Sequence, residues 1–230
     1  MKFKADQTYQ KLRGGYYTPG NVADFLNDFA ITAQTETILE PSCGDGAFIE
    51  ALAGKVSQVK TVHAVELDPE EAAKAKAAGQ FLGKKLEVRS GDYFASNRLN
   101  IPSKHYDAVV GNPPYIELVY SFYNEDEKGK LRERFNFEKR GRINLIHLFM
   151  DKSFELLKDN GVLAYLLPST ILSSPWYNDI RKKIYDEYSV VDIICDIPFK
   201  DVSIDVCLLI LQKKVDEGHS FISLKNNYYT

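Results

Sequence analysis

The amino-acid sequence predicts a single α/β domain built around a mostly parallel β-sheet with helices on both faces. Apolar segments of strand length alternate along the chain with segments whose apolar residues recur at helical spacing. Several strand segments are apolar throughout, which is typical of a parallel sheet that is covered on both faces. A chain of 230 residues, 44% of them hydrophobic, can form one full core but has no room for a second large domain.

The strands and the helices between them can be assigned in chain order. The strand segments are residues 38–39, 61–66, 85–88, 106–110, 162–167, 190–195 and 206–211. Helices are expected from about residue 47, from Pro69, over 143–158 and over 177–188, with the turn residues 159–161 ending the third of them. Residues 219–224 have the pattern of a further strand that begins near the end of the sequence.

The segment of residues 120–142 interrupts this alternation because it is highly charged. Its basic residues are Lys128, Lys130, Arg132, Arg134, Lys139, Arg140 and Arg142, and its acids are Glu125, Asp126, Glu127, Glu133 and Glu138. One interpretation is a solvated helix or loop whose charges partly cancel. The other is a mobile loop that contacts phosphate groups.

Bulk composition restricts the functional classes. The formal net charge of −3 argues mildly against a self-sufficient DNA-binding protein, but not against a catalytic domain whose DNA contacts lie mostly elsewhere. No apolar run approaches the roughly 20 residues of a membrane-spanning helix, and the start, MKFKADQTYQ, lacks the apolar segment of a signal peptide. The cysteines form no C-x-x-C pair and the histidines show no metal-ligand spacing. We therefore expect a cytoplasmic protein with reduced thiols and no bound metal.

The turn after the first strand combines glycines with acids. Its sequence is Leu39-Glu40-Pro41-Ser42-Cys43-Gly44-Asp45-Gly46-Ala47-Phe48. Gly44 and Gly46 lack Cβ atoms, which lets backbone pass close to a ligand. The spacing differs from the phosphate-binding G-x-G-x-x-G pattern, and Glu40 and Asp45 would repel a pyrophosphate. Such acids suit a cofactor that carries an ammonium and a sulfonium group.

Further acids follow the next two strands. Glu66 ends the second strand, where an acid can accept hydrogen bonds from ribose hydroxyls. Asp92 follows the third strand and can accept from an adenine amino group, with Tyr93 or Leu67 against the ring face. Because these sites lie at the carboxyl ends of adjacent parallel strands, they are expected at one edge of the sheet. The alternative is that the glycines only form a turn and the acids cap helices.

The fourth strand ends in Gly111-Asn112-Pro113-Pro114-Tyr115. The prolines have no backbone N–H, so this surface offers hydrogen-bond acceptors only. The side-chain carbonyl of Asn112 and the backbone carbonyl of Pro113 can hold an NH₂ group by both hydrogens, which makes its lone pair available to attack a methyl sulfonium. Tyr115 can stack on a flat substrate. A proline-rich turn is the alternative, but it does not explain the flanking asparagine and tyrosine.

In this order the motifs resemble those of the gamma-class N6-adenine DNA methyltransferases, to which restriction–modification enzymes of the TaqI type belong. The resemblance runs from about Tyr16 to Gln212, nearly the whole chain. Its segments are Tyr17-Thr18-Pro19, Glu40-Pro41-Ser42-Cys43-Gly44, Glu66-Leu67-Asp68, Asn112-Pro113-Pro114-Tyr115, Asn144-Leu145 with Phe149, Gly161-Val162-Leu163, Leu167-Pro168-Ser169 and Phe199-Lys200-Asp201-Val202. Each motif alone is weak to moderate, whereas the ordered set is specific.

The resemblance implies a Rossmann-like S-adenosylmethionine-dependent methyltransferase fold whose seven-stranded sheet has one reversed strand. It implies S-adenosylmethionine as cofactor and double-stranded DNA as partner. The target adenine would be flipped out, held by the Asn112 and Pro113 carbonyls, and stacked between Tyr115 and Phe199. The residues implied for the cofactor pocket are Tyr16, Thr18, Glu40, Ser42, Gly44, Gly46, Glu66, Leu67, Asp92, Tyr93, Pro114 and Phe149.

The large C-terminal target-recognition domain of that family has no counterpart in residues 1–230. We therefore expect a catalytic domain, with a target-recognition or restriction domain or subunit located elsewhere. One alternative is a methyltransferase for a release-factor glutamine or for RNA, since those enzymes have a motif like residues 112–116. Tyr17-Thr18-Pro19 and Phe199-Lys200 favour a DNA base instead. A non-catalytic module that binds a cofactor or partner subunit is disfavoured by the intact motif of residues 112–115.

Overall fold

A computed structural model of the chain describes residues 17–55, 57–95, 104–136, 143–197 and 204–214. The helices are α1 (Gly20–Ala30), α2 (Ala47–Glu50), α3 (Pro69–Ala78), α4 (Glu125–Arg134), α5 (Leu145–Leu156) and α6 (Asn178–Glu187). The strands are β1 (Thr37–Glu40), β2 (Thr61–Glu66), β3 (Leu86–Ser90), β4 (Tyr106–Gly111), β5 (Leu157–Pro168), β6 (Tyr188–Ile194) and β7 (Val206–Lys213). Short 3₁₀ turns span Gln80–Lys85, Leu118–Tyr120, Ser169–Leu172 and Pro175–Tyr177.

The strands form one mixed sheet in the order β3-β2-β1-β4-β5-β7-β6. The first five run parallel to their neighbours, whereas β7 is antiparallel to both β5 and β6. The predicted α/β class and the seven-stranded sheet with one reversed strand are therefore confirmed. The strand order reverses at β1 and β4, which is the position where open α/β sheets bind ligands.

Alternate strand residues pack into two separate hydrophobic clusters, one on each face of the sheet. Along β4, Ala108 and Val110 belong to the cluster that contains α1, α2 and α3, whereas Val109 belongs to the cluster that contains α4, α5 and α6. Leu163 and Ala164 of β5 divide between the clusters in the same way. This alternation follows from the two-residue period of a strand, and helices on both faces explain why the central strands are apolar throughout.

Polar caps fix where three of the helices begin. The Asp68 carboxylate accepts a hydrogen bond from the N–H of Glu70, with Pro69 in the first turn of α3. The Asn144 side chain likewise caps α5. Asn124 forms a reciprocal capping box at the start of α4. Part of the charged segment is therefore a well-defined helix.

The helix α5 and the strand after it differ from the sequence prediction, which ran the helix over 143–158 and stopped it at the turn residues 159–161. The helix ends at Leu156, and β5 begins at the next residue. The turn residues lie instead within β5, at an irregularity in its pairing with β4. A Cβ on Gly161 would lie 2.8 Å from the carbonyl oxygen of Lys158, so glycine permits this irregularity. The prediction was wrong because a turn signal inside a strand has the same sequence pattern as a loop.

The other boundaries agree with the predicted ones to within two residues. The expectations for Tyr16, Phe199 and residues 219–224 lie outside the described residues. Within the described ranges, none of the helices has both the length and the apolar character needed to cross a bilayer.

Candidate active site

The candidate site lies at the carboxyl ends of four adjacent parallel strands. Each strand brings one polar residue to this edge: Asp92 follows β3, Glu66 ends β2, Glu40 ends β1 and Asn112 follows β4. The sequence predicted this arrangement because parallel strands place their carboxyl ends at one edge. The structure brings all four residues there.

Glu40 is the most deeply buried acid at this edge. Its residue is 2% exposed, and within the described part of the chain neither carboxyl oxygen has a hydrogen-bonding partner. Burial raises the pKa of Glu40 well above its ordinary value, and the neighbouring Glu66 and Asp45 raise it further. Such a carboxyl group fits a positively charged ligand, because a cation would stabilise its ionised form.

Glu66 fixes the glycine turn against the end of β2. Its Oε2 accepts from the N–H of Gly44 at 2.9 Å, and its Oε1 accepts from the N–H of Asp68 at 2.8 Å. Burial raises the pKa of Glu66, while these two backbone hydrogen bonds lower it. A carboxylate has about four acceptor positions, so the two bonds orient Glu66 and leave capacity for a ligand.

The two glycines of the turn differ in what surrounds them. Both have positive φ angles, +52° at Gly44 and +97° at Gly46. The Cβ position of Gly44 meets no atom within 4 Å, whereas a Cβ on Gly46 would lie 2.7 Å from the Cα of Ala75 in α3. Sequence reasoning explained both glycines by ligand approach. The structure adds a packing reason at Gly46, since any side chain there would collide with α3 backbone.

Two hydroxyl groups hold Asn112. Its Nδ2 donates to the Thr18 hydroxyl oxygen at 3.1 Å, and the Ser42 hydroxyl donates to its backbone carbonyl oxygen at 3.2 Å. Because the amide nitrogen is directed toward Thr18, Oδ1 is the acceptor end of the side chain and faces the other way. Thr18 and Ser42, which the resemblance places in the cofactor pocket, therefore also contact the Asn112-Pro113-Pro114-Tyr115 motif.

Tyr115 is anchored at its hydroxyl and only half-buried at its ring. The hydroxyl donates to the carbonyl oxygen of Leu166 in β5 at 2.9 Å, and the ring packs against both hydrophobic clusters. The preceding Pro113 is buried and Pro114 is half-buried. An aromatic ring held in this way can offer a fixed face to a flat substrate.

Asp92 lies in a loop, residues 91–95, that we call the adenine loop because the sequence predicts that Asp92 accepts from an adenine amino group. Its Oδ1 accepts from the N–H of Phe94 at 2.9 Å and from the hydroxyl of Tyr123 at 2.7 Å. Tyr93 is buried, and its ring stacks on Phe149 with centroids 5.2 Å apart. Leu67 is only half-buried. Of the two residues suggested for the adenine ring face, the structure therefore leaves Leu67 better placed than Tyr93.

Sequence reasoning missed two cations that hold the adenine loop. Lys152 is 1% exposed, donates from Nζ to the carbonyl oxygen of Tyr93, and lies 4.1 Å from the centroid of that ring. Arg134 donates to the carbonyl oxygen of Phe94 at 2.8 Å. Burial, together with the positive charge of Arg134, lowers the pKa of Lys152 to about 7. The available signal was a lysine on the apolar face of a helix, three residues after Phe149.

The chain is similar in sequence to known restriction–modification methylases and type II methyltransferases. Residues 54–198 match the family model described as Eco57I restriction-modification methylase. The modification methylase CviBIII of Paramecium bursaria Chlorella virus NC1A is 28% identical over 211 residues, which cover 90% of this chain and 51% of that protein. The type II methyltransferase M.CvrRI of Paramecium bursaria Chlorella virus XZ-6E is 28% identical over 203 residues, covering 87% and 48%. The chain thus spans about half the length of these curated relatives.

A solved structure has the same fold. It is a protein of Listeria monocytogenes described as a class I S-adenosylmethionine-dependent methyltransferase, with a TM-score of 0.71 and 20% sequence identity. The match covers 92% of this chain and 65% of that one. At this identity the similarity concerns the fold alone, which is that of S-adenosylmethionine-dependent methyltransferases, as the sequence predicted.

Proposed function

Because the chain belongs to the Eco57I restriction-modification methylase family, we propose that it transfers a methyl group from S-adenosylmethionine to the N6 amino group of adenine in double-stranded DNA, within a restriction–modification system. One observation carries the proposal. The Asn112 amide, oriented by Thr18, lies after β4, beside the strand whose end holds the buried Glu40 carboxyl. An acceptor for a substrate amine thus adjoins a site for a cation.

The residues at the sheet edge fit the chemical groups of S-adenosylmethionine. Glu40 suits its ammonium group, Glu66 its ribose hydroxyls and Asp92 its adenine amino group. When bound, this cofactor supplies an electrophilic methyl group on its sulfonium. The other residues proposed for the pocket are Thr18, Ser42, Gly44, Gly46, Leu67, Tyr93, Pro114 and Phe149, with Tyr16 added from the sequence alone.

Asn112 and Pro113 are proposed to hold the amine that is methylated. Oδ1 of Asn112 and the carbonyl oxygen of Pro113 each accept one N–H of the target amino group. Two acceptors draw the nitrogen toward tetrahedral geometry, which makes its lone pair available for attack. The Thr18 hydroxyl holds the side-chain amide of Asn112, and the Ser42 hydroxyl holds its backbone carbonyl, before the substrate arrives. The orientation of Asn112 therefore does not have to form during the reaction.

We infer that the adenine leaves the duplex and stacks on Tyr115. The ring of Tyr115 is held through its hydroxyl, so little ordering of this side chain is needed when a base stacks on it. Phe199 is proposed as the opposite stacking face on the sequence alone. Stacking of this kind compensates part of the free energy lost when the base leaves its neighbours.

Recognition of a DNA sequence is proposed to need a further domain or subunit. The net charge of −3 provides little electrostatic attraction for a duplex, and the curated relatives are about twice as long. Methylation of RNA or of a release factor is less well supported, because the curated relatives are a modification methylase and a type II methyltransferase.

Asn112→Ala in the full-length protein tests the proposed chemistry. We expect methyl transfer to unmethylated genomic DNA, measured as N6-methyladenine, to fall by at least about 10²-fold, similar to loss of one oxyanion-hole donor. The affinity for S-adenosylhomocysteine, measured by calorimetry, should stay within about twofold. Gln34→Ala, in the exposed turn three residues before β1, is a matched control that should retain activity. Near-normal turnover by Asn112→Ala, or methylation of RNA or a release factor instead of DNA, would contradict the proposal.

A further inference from the structure

We propose that Tyr123 is a positioning residue for Asp92, and that the segment around it holds the adenine loop in the shape that binds the cofactor. We call residues 118–136 the buttress segment. The inference rests on the proposed function in one respect, which is that Asp92 binds the adenine amino group. It also gives the charged region a role that differs from both interpretations of its sequence, a solvated surface and a loop that contacts phosphates.

The two hydrogen bonds to Asp92 use the same carboxylate oxygen. The Tyr123 hydroxyl and the Phe94 N–H both donate to Oδ1, at 2.7 and 2.9 Å. Two donors on one oxygen restrict rotation of the carboxylate and direct Oδ2 away from Tyr123. The backbone bond is local, from two residues along the loop. The bond from the Tyr123 hydroxyl is the one that connects Asp92 to a segment outside the loop.

Tyr123 is itself fixed by packing. It is buried, its ring lies 4.1 Å from that of Phe122 between centroids, and it lies 6.4 Å from that of Phe94. Burial raises the pKa of Tyr123, and the charge of Asp92 and their hydrogen bond raise it further. The hydroxyl therefore stays protonated and acts as a donor throughout the neutral pH range.

Three successive residues of the adenine loop are each held by a side chain from elsewhere. Tyr123 donates to the Asp92 carboxylate, Lys152 to the Tyr93 carbonyl and Arg134 to the Phe94 carbonyl. Tyr123 directly precedes the N-cap residue of α4, and Arg134 is the last residue of that helix. A capping box formed by Asn124 directly after Tyr123 fixes the start of the helix that carries Arg134.

The buttress segment also joins the adenine loop to the catalytic motif. The chain after Tyr115 is pinned by two backbone hydrogen bonds, from Leu118 N–H to the Ile143 carbonyl at 2.7 Å and from Leu145 N–H to the Ile116 carbonyl at 2.8 Å. The polypeptide that leaves the motif is therefore fixed before it reaches Tyr123. Removing the Tyr123 hydroxyl should weaken cofactor binding without displacing Asn112.

Tyr123→Phe tests the inference because it removes the hydroxyl and keeps the ring. We expect the Kd for S-adenosylhomocysteine, measured by calorimetry on the full chain, to rise about tenfold, in the range for loss of a hydrogen bond to a charged group. In the full-length enzyme, KM for S-adenosylmethionine should rise by a similar factor with kcat within about twofold. Tyr120→Phe is the matched control. It lies in the same segment, is 63% exposed, and should leave the Kd unchanged.

A second ligand separates positioning from general loss of structure. S-inosylhomocysteine has a carbonyl oxygen in place of the adenine amino group, so an oriented Asp92 carboxylate should reject it. Tyr123→Phe should reduce this discrimination, whereas partial unfolding would weaken both ligands equally. The inference would be overturned if Tyr123→Phe bound S-adenosylhomocysteine with the same Kd as the unmodified chain and discriminated equally well against S-inosylhomocysteine.

A double-mutant cycle distinguishes this inference from the proposed role of Asp92. In an Asp92→Ala background, Tyr123→Phe should weaken S-adenosylhomocysteine binding no further, because the hydroxyl acts through that carboxylate. Independent, additive effects would reject the positioning role of Tyr123 and leave that of Asp92 intact. An Asp92→Ala variant with unchanged affinity would reject the cofactor role of Asp92 and the inference together.

Discussion

Thr18 and Asn112 are joined by a hydrogen bond of 3.1 Å although 94 positions separate them in the chain. Thr18 precedes the first helix, and Asn112 follows the fourth strand of the sheet. In this structure the amide nitrogen of Asn112 faces Thr18, which leaves Oδ1 as the acceptor of the side chain. The sequence motif around Thr18 thereby acquires a physical role, which is to orient the residue proposed to hold the target amine.

Thr18→Val should lower methyl transfer by about tenfold, because an isosteric side chain removes the acceptor and lets the Asn112 amide rotate. The readout is kcat in the full-length enzyme at saturating cofactor and DNA. Thr18→Ser keeps the hydroxyl and should retain most of the activity. If the valine and serine variants lose activity equally, the methyl group or the shape of Thr18 matters instead of its hydroxyl.

Gly46→Ala should lower the free energy of unfolding by about 2–4 kcal/mol. A left-handed backbone costs a non-glycine residue roughly 1–2 kcal/mol, and the collision 2.7 Å from the Ala75 Cα adds a packing term. Gly54→Ala is a matched control, since Gly54 also has a positive φ but open space around its Cβ position. Gly54→Ala should lower the free energy of unfolding by only about 1–2 kcal/mol. Urea unfolding measures both variants. Equal losses in both variants would mean that α3 moves aside at little cost.

Glu40→Gln should stabilise the ligand-free domain at neutral pH. The pKa of Glu40 is raised in the folded state, so above its unfolded pKa the unfolded chain releases a proton that the folded chain retains. Stability is therefore lost as the pH rises from about 4.3, the ordinary pKa of a glutamate, through the raised folded pKa, and the variant escapes this loss. We expect the variant to be more stable than the unmodified chain at pH 8 and to differ little from it at pH 4, measured by urea unfolding.

The ligand should reverse that difference. S-adenosylhomocysteine is expected to raise the Tm of the unmodified chain more than that of Glu40→Gln, because its ammonium group compensates the buried carboxylate. Glu36→Gln, at the half-buried residue just before β1 whose carboxylate pairs with Lys60 on the surface, is the control and should show neither effect. A stability difference between Glu40→Gln and the unmodified chain that does not vary with pH would contradict the electrostatic explanation.

The sequence was informative where one local pattern determines a position in the fold. Alternation of strands and helices predicts a parallel sheet, and such a sheet brings the residues that follow its strands to one edge. Glu40, Glu66, Asp92 and Asn112 could therefore be grouped without knowledge of any distance. The start of α3 was visible as Pro69 in a first-turn position.

The sequence was uninformative where a contact joins segments that share no pattern. Tyr123 meets Asp92 from a region whose mixed charges suggested a solvated surface or a phosphate-contacting loop. Lys152 lies on the apolar face of a helix, but that position does not reveal which carbonyl group it contacts. The irregularity in β5 was missed for a related reason. Its turn residues satisfy the pattern of a loop, and only the pairing of β5 with β4 keeps them within the sheet.

Tyr115 offers a test of base stacking because its ring and its hydroxyl can be removed separately. Tyr115→Phe loses only the hydrogen bond to the Leu166 carbonyl, so methylation should stay within about fivefold of normal. Tyr115→Ala loses the ring, and methylation of paired duplex should fall by roughly 10–100-fold, as expected when stacking worth about 1–3 kcal/mol is removed. Affinity for S-adenosylhomocysteine should be unchanged in both variants.

The substrate provides the control for Tyr115. Flipping costs less when the target adenine is mismatched, so a mismatch at the mapped target site should recover part of the activity lost in Tyr115→Ala. Phe199→Ala should show the same partial recovery if Phe199 forms the opposite stacking face. If Tyr115→Ala is equally impaired on paired and mismatched duplexes, its ring supports the hydrophobic clusters on both faces of the sheet and not the flipped base.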